Sequence, residues 1–501
     1  MLVAAAGLLF GFVVVWLRIA WLQLAQHGTY AARAERNQEQ RVLVRPERGK
    51  LLDRFGHLLA RDVVSYSISA APREMSNARA TARDLARVLD LDPRRLEREF
   101  ARRPRFLWVT RCADPNRGVA IAAWNRHGVY VSPEIRREDR LADAACEIIG
   151  RTNLDDSGVD GLELQLDDEL RGRPGWSTLF RDGRGLSHAL PGGLRRSPEN
   201  GRDVVLTLDG EIQSIAENHL ARAVDTLRAA RGFALFLDPR TGEVLASVNV
   251  PHLPPGKARN WNFTDQFEPG STFKVVAASA ALEEGLARPD QVFQAAADGK
   301  AELVPGAVFH DTHKHAEYSF RDAIRWSSNI VMGKLGLMLG PERLYRYATT
   351  LGFGGITGVA FPGEAGGKLR SPSHWSGRSC PTIAIGHEVS VTPIQLALAY
   401  GAIANGGILM EPMLVREVRD ADGAAVRRYG PHAAQRVLSA RTTELLRGML
   451  AAVVDSGTAK AARIPGLAIG GKTGTAQKYD AAIGTYRPGK YLSSFVVSRP
   501  L

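Results

Sequence analysis

Ser271 and Lys274 stand three residues apart in the run Glu268–Val276, EPGSTFKVV. Pro269 and Gly270 halt the chain, so a helix is predicted from Ser271 to about Glu284, where Gly285 ends it. Separation i, i+3 puts the hydroxyl and the amine on one helical face, within hydrogen-bonding reach of each other. A serine hydroxyl is a poor nucleophile until a base takes its proton. A lysine can be that base once burial or a nearby positive potential lowers its pKa. The helix N-terminus adds to that potential and offers backbone N–H groups where an oxyanion would form. Alone, Ser-x-x-Lys is weak: roughly one is expected by chance in a chain this long, and an N-capping serine beside a surface lysine would then be the better reading.

Two further runs change the odds. RWSSNIVM carries Ser327, Ser328 and Asn329 at a predicted helix-to-helix turn about 55 residues after Ser271. Such a turn would bring a second hydroxyl to Lys274 and an amide to a substrate backbone, although Ser and Asn are also ordinary helix caps. GGKTGTAQ carries Lys472, Thr473, Gly474 and Thr475 on a predicted late strand about 145 residues further on. Glycines at 470, 471 and 474 remove side chains where an extended peptide would add alongside, and Lys472, Thr473 and Thr475 would hold its carboxylate. A phosphate loop is set aside because the context is strand-like, whereas that motif needs a helix immediately after it.

Other candidates carry less. HDTHKH places His310, Asp311, His313 and His315 in a polar loop without regular metal-ligand geometry, so surface histidines are expected. GFGGITG, Gly352–Gly358, lacks the last glycine of a dinucleotide fingerprint and reads as a turn. His387 and Glu388 receive no assignment from the residues themselves.

The elements that must position these groups are legible in outline. Residues 1–25 are largely apolar and carry no charge except at Arg18, with Trp16 and Trp21 where an interfacial belt would fall. No basic n-region or small-residue cleavage site is evident, so an uncleaved membrane anchor is expected rather than a signal peptide. Gln26–Arg41 reads as a helical stalk. Arg45–Ala60, RPERGKLLDRFGHLLA, reads as an extended segment with a turn. Asn77–Arg103 has helical periodicity broken into two by Pro93. Gly158–Gly175, GVDGLELQLDDELRGRPG, reads as a glycine turn and an amphipathic helix ending near Gly172, and Gly183–Gly201 as a linker. Beyond it come a short strand from Asp203, a helix over Glu211–Ala230 and a hairpin over Gly232–Val250. Helices are expected to dominate Ser271–Leu339 and Thr392–Asn405, ahead of the late strand. The fold class is therefore α+β, with an antiparallel sheet packed between helices. The domains expected are an anchor at 1–25, a non-catalytic domain at 26–200 and a catalytic domain at 201–501.

A chain of 501 residues with 45% hydrophobic and 24% charged residues is globular and multi-domain. The net charge of +12 suits an anionic surface or polymer. Nucleic acid is set aside because no RNP, zinc-finger or basic-zipper pattern is present. Cys112, Cys146 and Cys380 are odd in number and far apart, which excludes a disulfide scaffold.

Ser-x-x-Lys, Ser-x-Asn and Lys-Thr-Gly in this order form the penicillin-recognising serine transferase set. With all three in order, the chain resembles a class B penicillin-binding protein over nearly its whole length. RPERGKLLDRFGHLLA resembles that family's RGxIxDRxGxxLA signature, with Lys50 and Phe55 departing from it, and GVDGLELQLDDELRGRPG resembles its second pedestal motif. DVVLTLDGEIQSIAE, LDPRTGEVLASVN, GHEVSVTPIQLALAYGAIANGG and KTGTAQ resemble its transpeptidase domain. FTDQFEPGSTFK is closer to the division-specific FtsI type than to the elongation type.

The resemblance implies an elongated pedestal and a transpeptidase domain outside the cytoplasmic membrane, held by a single-pass anchor. It implies that Ser271 attacks the D-Ala-D-Ala bond of a peptidoglycan stem peptide, with Lys274 as base, Ser327 as proton relay and Asn329 on the acyl side-chain amide. Lys472, Thr473 and Thr475 would face the carboxylate on the Gly474 strand, and the N–H groups of Ser271 and Thr475 would form the oxyanion hole. The partners implied are stem peptides on lipid-linked glycan strands, β-lactams, the inner membrane, and a glycosyltransferase with other division proteins. No metal or organic cofactor is implied.

YLSSFVVSRPL begins like the family's next strand, and its usual continuation does not follow, so a C-terminally truncated transpeptidase domain is expected. That leaves a non-catalytic scaffold as the alternative to an active septal transpeptidase. An elongation-type enzyme, or a penicillin sensor or β-lactamase, are further alternatives.

Overall fold

The computed structural model describes residues 2–30, 39–140, 145–181, 187–189, 195–253, 259–480 and 485–499. The chain divides into two compact units, residues 1–49 with 171–202, and residues 50–170 with 203–501.

In the first unit, Leu2–Leu24 is one helix of 23 residues. Its stretch Ala5–Leu24 is long and apolar enough to cross a membrane, and Leu8, Phe10, Phe12, Trp16 and Leu17 are exposed along it. Glu39–Val44 pairs antiparallel with Gly175–Arg181, which also pairs with Ser187–Ala189 and Arg195–Arg196. Two expectations change here. Half of the stalk, residues 31–38, lies outside the described residues, and its last residues are strand rather than helix. Of the linker at 183–201, residues 183–186 and 190–194 lie outside them. Its described part supplies two short strands, because Gly175–Arg181 offers a ladder for them.

In the second unit, one seven-stranded sheet runs in the order Ala425–Arg428, Val415–Arg419, Asp203–Leu206, Leu51–Leu52, Leu58–Ala70 and Leu107–Ala113, with Val129–Asp139 also paired to Leu58–Ala70. It therefore draws strands from both sides of residue 201. The turn between Leu52 and Leu58 shows why its residues are what they are. Asp53 Oδ1 accepts from the N–H groups of Phe55 and His57, an Asx-type turn, and Gly56 has φ +88. Arg54 then reaches the buried carboxylate of Glu243 at 3.0 Å, which Arg416 also holds.

A small core gathers Ile68, Leu85, Leu89, Leu96, Phe100, Leu107 and Ile121. Its helices are Ala78–Leu89, capped by Asn77, and Pro93–Arg102, capped by Asp92 with Pro93 at its first position. The amphipathic helix predicted before Gly172 is instead two short helices, Gly161–Gln165 and Asp167–Leu170.

The larger core surrounds the helix Lys274–Glu283. Helix Gly210–Thr226 lies on the hairpin Gly232–Leu237/Val244–Val250, where Gln213 exchanges two hydrogen bonds with the Ser247 backbone. Helices do not fill the interval from Ser271 to Leu339. Val292–Gln294 pairs with Glu317–Ser319, and Lys300–Val304 pairs with Ala307–His310, the latter across a turn at Pro305-Gly306 with Gly306 at φ +73. The late strand Gly470–Asp480 pairs antiparallel with Thr485–Ser498. Helix Pro393–Ala404 touches both this ladder and the strand Gly232–Leu237, while the two ladders form separate sheets among the described residues. The α+β class with antiparallel strands packed on helices stands as expected.

Candidate active site

The turn ahead of Ser271 is set by glycine. Gly270 has φ +54, and a Cβ there would lie 2.9 Å from the carbonyl oxygen of Thr475, so the late strand passes directly beside the serine. Gly270 N–H donates to the carbonyl of Gly386 at 3.0 Å. Residues Gly270–Phe273 form a 3₁₀ turn before the α-helix begins at Lys274. The Tyr400 hydroxyl, fully buried, donates to the Thr272 carbonyl at 2.8 Å and braces that turn, a contact worth about 1 kcal/mol.

Lys274 is fully buried, and its Nζ donates to the Ser327 carbonyl at 2.7 Å and to Asn329 Oδ1 at 2.7 Å. A third contact, 3.0 Å, is to Ser327 Oγ. Two acceptors that cannot donate thus consume two N–H bonds, so a neutral amine would turn its lone pair toward the Ser327 hydroxyl. Asn329 keeps this orientation because its Nδ2 donates to the His310 carbonyl at 2.8 Å. Burial first, and then the positive charge of Lys472, hold Lys274 well below the ordinary lysine pKa, against an opposing pull from Asp311.

The hydrogen bond expected between Lys274 and Ser271 is replaced by a longer path. Ser271 Oγ is joined to Ser327 Oγ at 2.9 Å, and Ser327 Oγ in turn contacts Lys274. The 3₁₀ turn, rather than an α-helical start at Ser271, accounts for the change in side-chain direction. Lys472 Nζ also donates to Ser327 Oγ, at 2.9 Å, and to its neighbour's carbonyl at 3.0 Å. Burial brings Lys472 down to about 7. Ser327 is therefore the hub of the site, and it sits at φ +59, a left-handed conformation that costs energy for a residue with a Cβ.

Asp311 was readable only as part of a histidine-rich run, yet it holds this hub in place. Its buried carboxylate accepts from the Ser328 hydroxyl at 2.6 Å, from the Ile330 N–H at 3.1 Å and from the Asn329 N–H. The histidines around it do not converge: His313 lies against Trp326 with ring centroids 4.7 Å apart, and His315 against Tyr318 at 5.1 Å. His387 and Glu388 also gain a place, since the Glu268 carboxylate accepts from the Glu388 N–H and faces His387 Nδ1, both at 3.2 Å. This ties the 386–388 loop to the turn before Ser271.

On the late strand, Thr473 Oγ1 contacts Thr458 Oγ1 at 2.8 Å, and Thr475 is exposed. The glycines there were expected to clear room for a substrate backbone. They clear it instead for this chain: a Cβ on Gly474 would lie 2.9 Å from the Pro269 carbonyl and 2.4 Å from Ser494 Oγ, and one on Gly471 would lie 2.7 Å from the Val496 carbonyl. The structure thus brings Ser271, Lys274, Ser327, Asn329 and Lys472 into one bonded cluster, with Thr473, Gly474 and Thr475 on the strand beside it. That arrangement can deprotonate a hydroxyl, and it sets a cation beside the strand that carries Thr475.

Residues 232–499 match the family model of the penicillin binding protein transpeptidase domain, and residues 43–206 that of the penicillin-binding protein dimerisation domain. The chain is 30% identical over 513 residues to Stage V sporulation protein D of Bacillus subtilis (strain 168), spanning 98% of this chain and 78% of that protein. It is 29% identical over 511 residues to the probable peptidoglycan D,D-transpeptidase PenA of Neisseria meningitidis, spanning 98% and 85%. Among solved structures, penicillin binding protein 3 from Mycobacterium tuberculosis complexed with aztreonam aligns with a TM-score of 0.71 and 28% identity, over 91% of this chain and 88% of that one.

Proposed function

Because the chain belongs to the class B penicillin-binding proteins, which join a transpeptidase domain to a dimerisation domain, we propose that it is a peptidoglycan D,D-transpeptidase working through an acyl-enzyme on Ser271. The observation that carries this reading is the bonded path Ser271–Ser327–Lys274, ending on a buried lysine whose pKa is lowered. Ser271 Oγ attacks the carbonyl of the penultimate D-Ala as its proton passes through Ser327 to Lys274. The backbone N–H groups of Ser271 and Thr475 receive the oxyanion. The C–N bond breaks, the departing D-Ala amine takes the proton back, and an ester to Ser271 remains. An amine of a neighbouring strand then attacks that ester by the reverse route, forming the cross-link and restoring Ser271. Lys472, with Thr473 and Thr475, holds the terminal carboxylate, Asn329 the acyl side-chain amide, and β-lactams enter by the same contacts.

Domain assignments follow the same reading: an anchor at 1–25 in the cytoplasmic membrane, a pedestal at 26–200, and a transpeptidase domain at 201–501 on the outer side. The likeness of FTDQFEPGSTFK to the division-specific type supports a septal role, with a glycosyltransferase and other division proteins as partners. Incubation with a stem pentapeptide ending in D-Ala-D-Ala and a D-amino acid acceptor should release D-Ala and join the acceptor to the peptide. Ser271→Ala should release none. Equal release by the variant would show that another group does the chemistry, and no release by either would favour a non-catalytic scaffold.

A further inference from the structure

Away from Ser271, two adjacent residues and a third 105 positions further on bring a thiol, a carboxylate and an imidazole together. Cys146 and Glu147 open the short helix Cys146–Ile149, and His252 follows the strand Val244–Val250. Cys146 Sγ lies 3.7 Å from His252 Nδ1, and both carboxylate oxygens of Glu147 lie 3.1 Å from the same nitrogen. One donor atom from each residue falls within 4.8 Å of the others. These separations are close to the edges of a tetrahedron around an ion with bonds of about 2.0–2.3 Å.

Two further contacts orient the donors. His252 Nε2 faces the carboxylate of Glu217, on helix Gly210–Thr226, at 2.7 Å. A proton held there leaves Nδ1 to serve as a ligand, the arrangement in which a carboxylate sets the tautomer of a metal-binding histidine. Glu147, itself buried, accepts the Leu253 N–H at 3.1 Å, which fixes the side chain relative to the imidazole.

We propose that Cys146, Glu147 and His252 bind a zinc ion, with Glu217 as the positioning residue for His252. Sulfur, nitrogen and oxygen donors together select a borderline ion over calcium or magnesium, which take oxygen alone. Thiolate and carboxylate neutralise the two positive charges, and binding displaces the thiol proton and any proton on Nδ1 to solvent. Both oxygens of Glu147 face the site, so three residues can offer four donor atoms. The ion joins the helix at 146–149 to the chain leaving the strand Val244–Val250, and so ties together two segments 105 residues apart.

The test uses the full chain, stripped with a chelator and titrated with Co²⁺ as a spectroscopic probe for Zn²⁺. One equivalent should produce a near-ultraviolet thiolate-to-cobalt band that Zn²⁺ bleaches, and Zn²⁺ should raise Tm. Cys146→Ser should lose the band while keeping β-lactam acylation at Ser271, which reports that the variant is folded. Glu217→Gln should keep the band but weaken binding about 10–100-fold. Absence of a thiolate band, or a band that survives in Cys146→Ser, overturns the proposal. So does an unchanged Tm with zinc, which would mark the group as an ion-paired histidine and no more.

Discussion

Lys274→Met is expected to slow acylation of Ser271 by a β-lactam about 10²–10⁴-fold, the range lost with a general base. Methionine nearly conserves the volume of the fully buried lysine and removes an ionisable group from the core, so the helix Lys274–Glu283 should stay packed. What disappears is the acceptor at the end of the path from Ser271 through Ser327. The Ser327 carbonyl and Asn329 Oδ1 also lose their donor, which costs about 1–3 kcal/mol each if water does not replace it. Lys274→Arg should fail as completely, because a guanidinium keeps its proton at any accessible pH. Stopped-flow acylation across pH separates these roles. In the native chain the rate should fall on acidification, as Lys274 takes up the proton that burial and Lys472 make unfavourable. The methionine variant should show a low rate without that acid limb. A native rate in Lys274→Met would assign the base elsewhere.

Lys472→Met should cost about 10²–10³-fold in kcat/KM for substrates that carry the terminal carboxylate, the scale of truncating one partner of a buried, hydrogen-bonded charge pair. Most of this should appear in KM, and an otherwise similar substrate lacking the carboxylate should lose far less. A second effect distinguishes it from simple damage. The charge of Lys472 is one of the two causes lowering Lys274, so its removal should let the Lys274 pKa rise. The acid limb of acylation should then move to higher pH. Because burial holds Lys472 itself at about 7, it too titrates in the native profile, and the variant should simplify that profile. An unshifted acid limb would show that the two lysines do not sense one another.

The residues that do the proposed chemistry were readable because their relations are local or ordered. Ser271 and Lys274 are one turn apart, and Pro269-Gly270 announces the turn. The helices Ala78–Leu89 and Pro93–Arg102 were readable because Leu85, Leu89, Leu96 and Phe100 keep helical spacing and Pro93 marks the second start. Ser327 as the hub was less so: the i, i+3 rule pointed Lys274 directly at Ser271, and it took a 3₁₀ turn and a left-handed Ser327 to interpose a hydroxyl. Asp311 had no local signal at all, since its partners Ser328 and Asn329 lie 17 and 18 residues away and its neighbours are distracting histidines. The glycines of the late strand were correctly seen as removing side chains, but sequence cannot say whose backbone approaches. At Gly474 it is Pro269 of this same chain. The Glu147–His252 contact spans 105 residues, and only the fold brings its two ends together.

The central claim, that Ser271 is the nucleophile of a serine acyl-enzyme, is tested most directly by intact mass spectrometry after incubation with a penicillin, followed by peptide mapping. The chain should gain the mass of one β-lactam, placed on Ser271, and Ser271→Ala should gain nothing. An unmodified native chain, or an adduct that persists in Ser271→Ala, would contradict the account.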